Sequence, residues 1–238
     1  MIDWGKIFKE EGYDYDYSRL LKFKPKGGIR LLSEEKELKT EKDWLENYQL
    51  GFNIIPLFTN DESDSVGVYS NGFLKGKVVI LNHDNLDFTP RFSNLDSFLA
   101  QITEIKKEEF FDWHDLLLSA FDYPLKNNSN AEENILNHCW ELIDQSGFCS
   151  EENRELIIKT AMYLTPPAKL ETLMNFLEDK NPLIVDSTAW LLGIFHQYEP
   201  AKPVISKMIP TRYKDHYWRK DFYNGEFEKK SIWKKIFR

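Results

Sequence analysis

The chain has 238 residues, 42% hydrophobic and 15% aromatic, which suffices for a buried core in one large domain or two ordinary ones and leaves little room for long disorder. A net charge of −8 argues against nucleic acid as the main partner. No run of about 18 apolar residues is present to span a bilayer, and the N-terminal MIDWGKIFKEEG lacks the apolar core of a signal peptide, so a cytoplasmic protein with no membrane partner is expected.

The first hundred residues are punctuated like a sheet. Ile29–Leu32, Val66–Tyr69 and Val78–Leu81 are short β-prone runs bounded by turn residues at 25–28, Asn71-Gly72, Lys75-Gly76 and Asn82–Asn85. The second and third are close enough to pair as an antiparallel hairpin, with a connection over Ser70–Lys77 too long for a two-residue turn. The period then changes. Ser93 is placed to cap a helix carrying Leu95, Phe98, Leu99 and Ile102 on one face, which should close the first domain against its sheet.

Beyond KKEEFF (106–111) the pattern is helical. Asp112 and Asp115 in DWHD have the spacing of helix-capping residues. Ser150 caps a run bearing Leu156, Ile157, Thr160, Ala161 and Leu164, which Thr165-Pro166-Pro167 ends. Leu170, Leu173, Met174 and Leu177 make the next apolar stripe, and Asn181-Pro182 starts a further helix through Leu192. LIIKTAMYL (156–164) and IVDSTAWLL (184–192) recur at an offset of 28 residues and share Thr-Ala. LEDKNPLIVDSTAWLLG (177–193) resembles a HEAT-type repeat, departing from it at Val185, and over 150–210 that resemblance implies a helical surface for binding proteins. The basic aromatic tail from Thr211 reads as a terminal helix whose aromatics pack and whose lysines face water. The expected organisation is α+β: an antiparallel-sheet domain with flanking helices over 1–108, then an all-α repeat domain over 109–238.

Candidates for chemistry are sparse. Asp61 and Asp64, in the acid-rich stretch DESD, have a spacing that could hold a divalent cation, but the calcium-loop pattern is missing. His83 and Asp84 stand where a strand should end, without the three converging ligands of a hydrolytic metal centre. Neither a nucleophile elbow nor a glycine-rich phosphate loop is present. Cys139 and Cys149 have the spacing of no zinc or redox motif. The reading is therefore not an enzyme, with no catalytic residue, metal or cofactor.

The stretch FNIIPLFTNDESDSVGVYSNGFLKGKVVILNHD, followed by Pro90, Phe92 and Phe98-Leu99, resembles the SUKH superfamily over about 44–105. That group includes the fungal Smi/Knr-type cell-wall regulators and many bacterial toxin-immunity proteins. The resemblance implies an α+β protein-binding module that neutralises a toxin, often a nuclease, by occlusion in the cytoplasm. A basic toxin domain suits the acidic chain, and Asp61, Glu62, Asp64, Asp84 and Asp87 are the residues expected to meet it. The alternative is an intracellular scaffold or regulator that works through its helical repeats.

Overall fold

The computed structural model describes residues 2–24, 28–60, 64–82, 87–104 and 130–208. They belong to two compact units, Met1–Leu164 and Thr165–Arg238. The expected domain boundary at 108/109, the caps proposed in DWHD and the basic tail lie outside the described residues.

In the first unit, the described strands form one five-stranded antiparallel sheet in the order β1-β2-β3-β4-β5. These are β1 (Arg30–Leu31), β2 (Ile54–Thr59), β3 (Ser65–Tyr69), β4 (Val78–Leu81) and β5 (Pro90–Phe92). The three expected strands are all there, and β3 pairs with β4 as a hairpin. Strands β2 and β5 are additions to the sequence reading. Pro56 obscures β2, because proline removes a ladder donor; the sheet accommodates it opposite Gly67 with a register shift between Pro56 and Phe58. A Cβ on Gly67 would stand 2.4 Å from Ile54 Cγ2, so only glycine lets the strands meet there.

Both faces of this sheet are covered. Strand alternation sends Ile55, Val66, Val68, Val78, Ile80 and Phe92 to one side. There they pack with Trp4 and Phe8 of α1 (Trp4–Glu10), Leu38 of α3 (Glu35–Leu45) and Leu95, Phe98 and Ile102 of α4 (Leu95–Glu104). The short α2 (Ser18–Leu21) adds Leu20. Helix α4 thus closes on the sheet as its pattern predicts. Its cap is one residue later than expected: Ser97 N–H donates to Asn94 Oδ1 at 2.8 Å, and Phe98 N–H donates to the Asn94 carbonyl.

Ile54, Tyr69, Val79 and Leu81 face the other side, against α5 (Asn130–Gln145) and α6 (Glu151–Leu164). Ser150 caps α6 as expected, its Oγ accepting from Asn153 N–H at 2.9 Å. The same segment ties the helix to the chain before β2, since Ser150 Oγ also donates to the Gln49 carbonyl at 2.8 Å.

The second unit begins with Pro167–Glu178, which forms a 3₁₀ helix. The expected stripe at Leu170, Leu173, Met174 and Leu177 has α spacing. The helix instead buries Leu170, Leu173, Phe176 and Leu177, and the first three stand three apart, as a 3₁₀ repeat requires. Then come α7 (Pro182–Trp190), capped by Asn181, a π segment (Leu191–Phe195) and α8 (Lys202–Met208).

Candidate functional site

The register puts Thr59 beside Ser65 and Ser65 beside Leu81, so the β2–β3 and β4–β5 connections leave the sheet at the same end. Both carry the acids singled out in the sequence. Asp61, Glu62 and Asp84, with His83, lie outside the described residues. Asp64 and Asp87 are described, and both are engaged within the fold.

Asp64 closes a tight turn. Its N–H donates to Asn60 Oδ1 at 2.9 Å, while its carbonyl accepts from Asn60 N–H at 3.0 Å and from Thr59 Oγ1 at 3.0 Å. Asp64 is 7% exposed, and its carboxylate accepts from Asn82 Nδ2 at 3.3 Å, which joins the two connections. Beside it, Ser65 Oγ donates to the buried Glu41 of α3 at 2.7 Å. The polar end of the sheet is thereby tied to a helix.

Asp87 belongs to a second, deeper network. Phe92 faces the α1–α3–α4 side of the sheet, so alternation turns its neighbour Arg91 toward α6. Arg91 and Lys159 of α6 are 8% and 5% exposed, a depth at which a lone cation is strongly disfavoured. Asp87 answers both. Its Oδ2 accepts from Arg91 Nη2 at 2.6 Å and stands 3.6 Å from Lys159 Nζ. Its Oδ1 accepts from the Thr89 N–H at 3.0 Å and from the Thr89 hydroxyl. Glu155 supplies Lys159 with a second carboxylate at 2.6 Å, and the Arg91 guanidinium lies 5.2 Å from the centre of the Tyr163 ring. Burial by itself would raise the Asp87 pKa; Lys159, Arg91 and the Thr89 bonds outweigh it and hold the carboxyl well below the usual range. Above this network the buried Tyr69 hydroxyl donates to the Phe88 carbonyl.

Sequence reasoning missed Arg91, Glu155, Lys159 and Tyr163. One signal was available: Lys159 interrupts the apolar run LIIKTAMYL and needs an acid partner wherever that run is buried.

Among the described residues, no group of three or more His, Cys, Asp or Glu side chains is placed to hold a metal ion. No described helix is long and apolar enough to cross a membrane. No protein-family model, curated protein or solved structure matches the chain.

Proposed function

We propose that this chain is a non-enzymatic immunity protein that binds a basic toxin domain in the cytoplasm and neutralises it by occlusion. The observation that carries this reading is the convergence of two acid-bearing connections at one end of the sheet, joined by Asn82 and Asp64. Among the described residues both sheet faces are buried, which turns attention to the sheet ends, the short edge strands and the outer helix faces. Of these, the end from which the β2–β3 and β4–β5 connections leave is favoured, because the sequence of those connections has the acids that attract a basic protein. Asp64 and Asp87 hold the connections from inside.

The proposal includes a SUKH-like first domain followed by degenerate HEAT-like helices. The five-stranded antiparallel sheet flanked by helices agrees with the first. The second rests on the recurrence of Thr-Ala at a 28-residue offset in the sequence, with Thr160 and Thr188 both buried.

The test is co-expression with each candidate toxin from the gene's own neighbourhood. Stoichiometric co-purification with restored growth supports immunity, and failure of every neighbouring toxin to bind refutes it. In the supported case, Asp61→Lys with Glu62→Lys should slow association and flatten its salt dependence. Unchanged rates at low and high salt would put the interface elsewhere.

A further inference from the structure

The acid-bearing end of the sheet has a counterpart of opposite character. At the other end, the Ser70–Lys77 connection lies against α5 around a pocket of about 430 Å³. That volume is in the range of small-ligand sites. The connection contributes Phe73, Lys75 and Lys77; Asn134, Ile135 and His138 come from one face of α5 at helical spacing.

Among the described residues, the polar groups of this lining are two ammonium groups, an amide and an imidazole, with no carboxylate among them. Donors of this kind suit an anionic group. The groups are also held in place. Lys75 Nζ donates to the Gly12 carbonyl at 2.7 Å, which leaves the other ammonium protons for a ligand. Lys77 Nζ donates to the Ser93 carbonyl at 3.1 Å, and the Phe73 ring meets the His138 imidazole edge-on at 4.6 Å. Two acids of α5 stand outside the lining, Glu141 at 3.4 Å from His138 Nδ1 and Glu132, whose charge acts on Lys77. Burial lowers the Lys77 pKa and Glu132 opposes it; an anion seated beside the ammonium would oppose it further.

We propose that this pocket binds a small oxyanion ligand whose phosphate or carboxylate groups lie against Lys75 and Lys77 and whose body packs on Phe73 and Ile135. The site is separate from the toxin-facing end and stands whether or not that reading holds.

The full chain would be titrated with AMP, inorganic phosphate and citrate at constant ionic strength. Calorimetry gives affinity, and the imidazole signals of His138, assigned with His138→Gln, report the place of binding. The expected result is saturable binding of AMP or citrate that moves the His138 signals, weakened about tenfold or more in Lys75→Ala with Lys77→Met, the size of one or two lost charge-assisted hydrogen bonds. Preference for AMP assigns a phosphate ester, and preference for citrate a polycarboxylate. Absence of a saturable His138 shift in the unaltered protein with all three probes overturns the proposal. So does binding that the double variant leaves unchanged. Should Lys77→Met disturb folding, the exposed Lys75→Ala must weaken binding on its own.

Discussion

Replacing Asp87 by asparagine is the sharpest test of the buried network between β5 and α6. Asparagine keeps the shape and the Oδ1 that accepts from Thr89, but it puts a donor where Arg91 donates at 2.6 Å. Arg91 would then be buried with its carboxylate gone and its Nε already without a hydrogen-bond partner among the described residues. Lys159 fares better, because Glu155 remains at 2.6 Å. Breaking a buried ion pair from one side typically costs about 3–5 kcal/mol, and the surviving Lys159–Glu155 pair places this case near the lower figure. That is a large share of the roughly 5–15 kcal/mol by which domains are stable.

Urea unfolding followed by tryptophan fluorescence and far-UV circular dichroism should show the midpoint falling with little change in slope. In double-mutant cycles the Asp87–Arg91 coupling should exceed Asp87–Lys159, since the two separations are 2.6 and 3.6 Å. The pH dependence follows from the depressed carboxyl pKa. Its contribution is fully present above the unfolded value of about 3.9 and is lost as pH falls through the lower folded value. The unaltered protein should therefore lose stability below about pH 4 more steeply than Asp87→Asn. A change under about 0.5 kcal/mol at neutral pH, the size of an ordinary surface substitution, would mean that Arg91 does not depend on the Asp87 charge.

Gly67→Ala should destabilise by about 1–3 kcal/mol, read from the urea midpoint, because the new methyl group would meet Ile54 Cγ2 at 2.4 Å and the Ile55 carbonyl at 3.1 Å. Burial pushes the Cys139 thiol up to about 12, whereas Cys149 is exposed. Iodoacetamide at pH 8 should accordingly label Cys149 alone in the native protein and both thiols in urea, as counted by mass spectrometry. In the second unit, burial draws the His196 pKa down to about 4. The unfolded chain takes up that proton first, near pH 6.5, so stability falls as pH drops from about 6.5 toward the folded value. The melting temperature should decline less over that range in His196→Phe.

The legible parts of the fold were those with a local cause. Turn residues marked β1, β3 and β4, the 3.6-residue period marked α4 and α6, and Ser150 announced its helix. The helix cap at residues 93–94 was misplaced by one position because serine and asparagine are both good caps and only the backbone geometry chooses between them. Strand β2 was hidden by Pro56, whose accommodation depends on Gly67 in another strand. The 3₁₀ path of Pro167–Glu178 was hidden because Leu170 and Leu173 fit an α stripe as well as a three-residue repeat. The acids of the candidate site were visible as residues, but their roles were not. Whether Asp87 faces water or a cation depends on Lys159, which only folding brings near.

That dependence separates two functions that a charge count merges. Alternation along β5 forces Arg91 inward once Phe92 joins the core on the opposite face. An inward arginine requires a carboxylate, and Asp87 supplies it from the β4–β5 connection. Asp64 does the corresponding work at the neighbouring turn through Asn60, Thr59 and Asn82. Loss of partner binding on altering Asp64 or Asp87 would therefore report a displaced connection as readily as a lost contact. Charge reversal at Asp61 and Glu62 avoids that confusion, provided the urea midpoint stays within about 0.5 kcal/mol of the unaltered protein. A slower association at unchanged stability then assigns the effect to charge at the interface, because electrostatic steering acts on encounter and leaves the fold alone.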